Sequence, residues 1–166
     1  SIISKLLHYS REAKLEDQEV SLAAMATDAA ELLAHHLERS GVQLVMELGP
    51  CAPVRGNENE LHQVFSNLVL NSRDALLQGD YPKEIQVRLW QEGNEARLAV
   101  MDRGPGIPDE VLPHIFEPFF TTRPMGGEGA GLGLSVSQQI VSKHQGRLAV
   151  STRPGETVFT LILPTI

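Results

Sequence analysis

Two groups of residues in this 166-residue chain have the types and spacing to do chemistry. The first runs from Asp102 to Ser135: DRGPGIPDEVLPHIFEPFFTTRPMGGEGAGLGLS. It opens with Asp102, Gly104 and Gly106 in a tight turn. It closes on Gly126, Gly127, Gly129, Gly131 and Gly133, with Phe116, Phe119 and Phe120 between. Glycine lets a ligand approach the backbone closely, and a glycine cluster running straight into a helix offers N–H groups to an anion. The pattern predicts a nucleotide-phosphate site with a mobile lid. The competing reading is a plain polar loop. Structureless loops beyond about 12–15 residues are uncommon in compact domains, and disorder does not favour three phenylalanines.

The second group is Asn67, Asn71 and Asp74, spaced four and three apart and so on one helical face. Amides and a carboxylate on such a face can present oxygens to a hydrated Mg²⁺, which takes oxygen ligands and keeps several waters. A merely solvated polar face is the alternative. The histidines do not compete as ligands. His8 reads as structural or solvent-facing, and the adjacent His35 and His36 point in different directions.

Elements must position these groups. Ile2, Leu6, Tyr9 and Ala13 follow a heptad-like spacing, so residues 1–18 are expected to be the C-terminal end of a dimerisation helix, with the functional domain over 19–166. An ordinary amphipathic helix packed on its own domain fits those two heptads equally. Glu19 to Leu22 reads as a short strand or extended connection. Leu22 to Glu38 reads as a helix stopped by Ser40-Gly41. Val42, Leu44 and Met46 alternate with more polar neighbours as a strand does, and Pro50 and Pro53 break it. Asn57 or Asn59 can cap a helix carrying Leu61, Val64, Phe65, Leu68 and Leu76. Ile85 to Leu89 and Ala96 to Met101 form a hairpin around Glu92–Glu95, and the return strand delivers Asp102 to the glycine-rich loop. Leu132 to His144 is a further helix. Arg147–Ser151 and Thr157–Leu163 are two last strands, turned at Pro154-Gly155. This order gives an α+β fold, a two-layer sandwich of a mixed, mostly antiparallel sheet with helices on one face. It lacks the βαβ alternation of a Rossmann fold, and no P-loop motif is present.

Composition narrows the class. Apolar residues make up 42% of the chain, enough for a core, and the formal net charge of −7 argues against general binding to nucleic acid or anionic membrane. The single Cys51 excludes an internal disulfide, which suits a reducing, cytoplasmic setting. No apolar run is long enough to span a bilayer. The chain starts inside what reads as a helix and is expected to be a cytoplasmic fragment, whose longer parent chain could still carry a membrane span.

Five blocks, in order, resemble the ATP-binding catalytic domain of bacterial two-component sensor histidine kinases, within the superfamily that includes gyrase B, Hsp90 and MutL. They are NLVLNSRDAL (Asn67 to Leu76), DRGPGI (Asp102 to Ile107), FEPFFTTR (Phe116 to Arg123), GAGLGLS (Gly129 to Ser135) and GETVFTLILP (Gly155 to Pro164). These look like the N, G1, F and G2 boxes and the closing strand, on the Bergerat-type ATP-binding fold.

The resemblance implies roles. Asp102 would accept from the adenine amino group, with Thr157 beside it through a water. Gly104, Gly106 and Ile107 would shape the adenine edge. Asn71 would be catalytic and ligate Mg²⁺, the catalytic Asn67 would lie close to the phosphates, and Asp74 would belong to the nucleotide contacts. Phe116, Phe119 and Phe120 would anchor the lid and contact the helical domain, Phe120, Thr121, Thr122, Arg123 and Leu132 would belong to the nucleotide contacts, and Gly129, Gly131 and Gly133 would let the lid close over the triphosphate. Arg73 and Arg123 are the local cations placed near phosphates. ATPases of this fold carry a Glu base where this chain has Asn67, and an amide cannot take the proton, so transfer to a protein is favoured over hydrolysis. Arg103 and Ala130 depart from usual box residues without abolishing the pocket. No histidine has a phosphoacceptor context. The partners implied are a dimerisation and phosphoacceptor domain and a response-regulator receiver domain, with no nucleic acid and no membrane contact by this fragment. The alternatives are a serine kinase of the same fold, of the anti-sigma type, and a non-catalytic nucleotide-sensing module.

Overall fold

A computed structural model describes residues 18–118 and 133–166. The proposed dimerisation-helix tail, apart from its last residue, and the F-box and lid positions from Phe119 to Leu132 lie outside the described residues. The elements are β1 (Gln18–Val20), α1 (Leu22–Arg39), β2 (Gln43–Leu48), β3 (Val54–Gly56), α2 (Glu58–Leu76), β4 (Glu84–Glu92), β5 (Glu95–Asp102), a 3₁₀ turn (Leu112–His114), α3 (Gly133–Lys143), β6 (Arg147–Arg153) and β7 (Glu156–Pro164).

Five strands form one sheet in the order β2-β4-β5-β7-β6. Only β2 and β4 run parallel; every other neighbour is antiparallel. The parallel pair is possible because the chain between them makes a crossover that includes α2. Inward residues alternate along β4 (Ile85, Val87, Leu89) while Gln86 and Arg88 stay exposed. The helices cover the inward face, burying Met25, Ala26 and Ala29 of α1 and Leu61, Phe65 and Leu68 of α2 completely. This is the α+β two-layer architecture expected.

Local signals explain the boundaries. The Ser21 hydroxyl accepts from Ala24 N–H at 3.2 Å to start α1. Gly41, at φ +70°, ends it: Gly41 N–H donates to Glu38 O and Val42 N–H to Leu37 O. Asn57 is the cap of α2, its Oδ1 accepting from Glu60 N–H at 3.0 Å. At the other end Lys83 Nζ donates to the carbonyls of Leu76 and Gly79, as expected of a cation at a helix C-terminus.

The structure adds two elements to the expected ones. β3 follows Pro53 directly and pairs antiparallel with β1, Val20 opposite Val54. A three-residue strand between a proline and a helix cap leaves no alternation to read. The 3₁₀ turn is equally short. Among the described residues, no helix is long and apolar enough to cross a membrane.

Candidate nucleotide site

The site is built where the end of β5 meets the C-terminal half of α2. Asp102 is the last residue of β5 and stands opposite Thr157 of β7 in the ladder. It is 2% exposed. Burial raises its pKa above the ordinary carboxylate value, opposed by the Gly104 N–H and then by the nearby Ser72 hydroxyl. Gly104 N–H donates to Asp102 Oδ1 at 3.0 Å. A Cβ at Gly104 would lie 2.9 Å from that oxygen and 3.5 Å from Ala75 Cβ. Glycine is required there because the turn is wedged between its own carboxylate and α2.

The rest of the turn is tied to the β6–β7 hairpin. Ile107 N–H donates to Thr152 Oγ1 at 2.9 Å, and Thr152 Oγ1 lies 2.9 Å from Thr157 Oγ1. Gly106 adopts φ +79°, and a Cβ there would collide with the Arg153 carbonyl. Its glycine therefore serves packing against the hairpin backbone. Thr152 is a wall residue that the sequence reading missed. The available signal was its place opposite Thr157, one step from the Pro154-Gly155 turn.

On α2, Asn67, Asn71 and Asp74 are all half-buried on one face, as their spacing requires. Asn67 Nδ2 donates to Ser137 Oγ at 3.2 Å and to Gly133 O at 3.4 Å. A carbonyl can only accept, so the amide nitrogen faces α3. The fully buried Ser137 is thus the second missed residue, a polar side chain on the core face of α3 that meets Asn67. Gly133 begins α3 beside Asn67, so two predicted site residues meet there. Arg73, expected near phosphates, donates from Nε and Nη2 to Asp74 Oδ1, at 3.2 and 2.9 Å. That pair draws Arg73 and Asp74 toward each other.

Elsewhere the polar groups hold the fold. A cleft of about 370 Å³ lies at the opposite end of α2, lined by Arg55, Gly56, Lys143 and His144 among others. His144 Nε2 accepts from Asn57 N–H at 3.0 Å while Nδ1 bonds Ile140 O at 2.8 Å. Lys143 pairs with Glu60 at 3.3 Å. Cys51 is half-buried, and burial pushes its thiol up, away from a reactive thiolate.

A buried carboxyl at a strand end, a glycine turn against a helix and a polar helix face beside a second helix N-terminus suit a nucleotide. The family model described as "Histidine kinase-, DNA gyrase B-, and HSP90-like ATPase" matches residues 56–166. The chain belongs to that family. It is 33% identical over 166 residues to the signal transduction histidine-protein kinase AtoS of Escherichia coli (strain K12), covering 98% of this chain and 26% of that relative. It is 32% identical over 165 residues to the sensor histidine kinase ZraS of the same organism, covering 98% of this chain and 34% of ZraS. Among solved structures, the catalytic domain of histidine kinase ThkA superposes with a TM-score of 0.78 at 27% identity, over 90% of this chain and 96% of that one. The mycobacterial sensor histidine kinase MprB gives 0.74 at 28% identity, over 89% and 97%. The α+β fold is therefore that of a histidine-kinase catalytic domain, and family membership implies ATP binding. The chain spans only 18–26% of the length of the first three curated relatives.

Proposed function

We propose that this domain binds Mg-ATP and donates its γ-phosphoryl group to a histidine on a dimerisation domain of a longer parent protein, for relay to a response-regulator aspartate. The observation that carries the reading is Asp102: a buried carboxyl aimed from a strand end, held by one glycine N–H and flanked by Thr157. Asp102 accepts from the exocyclic amine of adenine and rejects guanine, which places a carbonyl there. Sites built around a buried polar group discriminate strongly, because the wrong base leaves that group unpaired.

Bound Mg-ATP supplies the phosphoryl group and part of the charge neutralisation that such transfer needs. Asn71 offers an amide oxygen to the metal. Asn67, its nitrogen spent on Gly133 and Ser137, holds the start of α3 against α2 and offers no proton-accepting base, which favours transfer over hydrolysis. The nucleotide set also includes Asp74, Gly104, Gly106, Ile107 and Gly133, with Phe120, Thr121, Thr122, Arg123, Gly129, Gly131 and Leu132 contributed from outside the described residues. We place the domain in the cytoplasm, with residues 1–18 leading from the dimerisation helices.

Calorimetry with ATP and GTP, with and without Mg²⁺, on wild type and Asp102→Asn tests this. Adenine-selective binding lost in the variant is expected. Equal binding of GTP, or none of either, overturns the reading. Joined to a dimerisation domain carrying a histidine acceptor, the domain should yield acid-labile phosphohistidine; an acid-stable phosphoserine product would point to the serine-kinase alternative.

A further inference from the structure

Three buried polar atoms among the described residues have no hydrogen-bond partner: His62 Nε2, Ser72 Oγ and Arg97 Nε. Arg97 Nε lies 3.4 Å from Glu92 Oε2, and the half-buried His62 ring has Ser66 Oγ 3.4 Å from its other nitrogen. Ser72 differs from both. Its whole residue has no exposed surface. A hydroxyl carries one donor and two acceptor sites, and leaving all of them unmet in the interior is costly. Most such groups are satisfied by protein, water or ligand.

The position of Ser72 indicates what satisfies it. It follows Asn71 directly on α2 and turns inward. Ala75, one helical turn on, abuts Gly104 in the turn that holds the Asp102 carboxyl. The Ser72 hydroxyl lies near enough to that carboxyl to lower its pKa as a hydrogen-bond donor does, but the contact falls short of hydrogen-bond length or angle and leaves the hydroxyl unsatisfied. An unspent donor therefore stands beside an acceptor that has one well-formed hydrogen bond. Adenine presents the complement on one edge: the 6-amino group donates and the adjacent ring nitrogen N1 accepts. An ionised carboxylate can serve only the first. The hydroxyls of Thr152 and Thr157 on the other wall already bond to each other.

We propose that Ser72 is a second reader of the base, its hydroxyl donating to adenine N1, directly or through one ordered water, while Asp102 accepts from the 6-amino group. This rests on the Mg-ATP reading above and adds a specificity-determining residue to it. A water relay is compatible with a useful contribution, since bridged hydrogen bonds are nearly as favourable as direct ones.

The test is calorimetry with ATP and with 1-deaza-ATP, in which N1 is a C–H, on wild type and Ser72→Ala. The proposal expects wild type to bind ATP about tenfold more tightly than 1-deaza-ATP. It expects Ser72→Ala to lose about that factor for ATP and nothing for 1-deaza-ATP. Without ligand, Ser72→Ala should melt at or above the wild-type temperature, because the substitution removes an unpaired buried hydroxyl. Equal losses for both ligands, especially with a lower melting temperature, would make Ser72 structural and overturn the assignment. So would a variant that binds ATP as wild type does. Wild-type protein that binds ATP separates these failures from failure of the underlying reading; wild-type protein that binds neither nucleotide overturns both.

Discussion

At its N-terminal end, α2 is fixed by polar groups that use their hydrogen-bonding capacity on one another. The Asn57 side chain caps Glu60 N–H, its backbone N–H goes to His144 Nε2, and the other ring nitrogen of His144 bonds Ile140 O. At its C-terminal half, Ser72 and Asp102 are more deeply buried than Asn57 and His144 and keep capacity in reserve. Satisfied buried polar groups specify a fold, whereas unsatisfied ones cost stability unless something else pairs with them. One helix thus carries a brace at one end and, on the reading proposed above, a receptor at the other.

The sharpest way to break that contrast is to exchange effects between the ends. Asp102→Asn should reduce ATP affinity by about a hundredfold, the scale of one lost hydrogen bond to a charged group. It should not lower the melting temperature at neutral pH. Burial raises the folded-state pKa of Asp102, so the folded protein holds that proton more tightly than the unfolded chain does. Its contribution is therefore most favourable at pH below the unfolded value of about 3.9 and is lost as pH rises through the raised folded value. The stability of Asp102→Asn relative to wild type should grow over that rise and vanish in acid, as urea melts across pH would show. A variant destabilised at pH 7 would place Asp102 with the brace.

His144→Ala should do the reverse. Losing both ring hydrogen bonds and the packing on Gly56 should cost about 2 kcal/mol of stability, read by denaturant unfolding, with ATP affinity within about twofold of wild type. Asn57→Ala removes only the cap and should cost about 1 kcal/mol, again without a binding effect. The smallest effect concerns the end of α3. Gln145 takes φ 62°, in the left-handed region, while the next residue is a glycine. A Cβ at Gly146 would collide with the Ile162 carbonyl, so the glycine is needed for close approach and the turn falls to Gln145. Gln145→Gly should therefore stabilise by about 0.5–1 kcal/mol, visible as a raised melting temperature.

The brace and the receptor were unequally legible in the sequence. Periodicity located α1, α2 and α3 and the sheet strands other than β3, because each buries a regular stripe. Asp102, Gly104 and Asn71 are expected site residues because box residues have fixed types and spacing, and the structure brings Asp102 and Gly104 together in one turn. Ser72 sat inside the recognised NLVLNSRDAL block unnoticed, since serine in a helix carries no signal until its burial is known. Thr152 and Ser137 were invisible for a related reason: each acquires its role from a partner distant in sequence, across the β6–β7 pairing or the α2–α3 contact. The Arg73 guanidinium, expected near phosphates from its charge and position, pairs with the Asp74 carboxylate beside it.

The family match begins at Gly56, yet the sheet does not. β2 covers one side of β4 through a parallel ladder from Gln43 to Leu48, and α1 covers the core above it. A piece trimmed to the matched residues would bare the backbone edge of β4 together with the apolar surface that Met25, Ala26 and Ala29 now shield. Unpaired strand edges next to exposed apolar surface recruit other chains. Residues 18–55 thus keep the apolar face of the core covered, and trimming to the boundary of sequence similarity should expose it and favour association between chains.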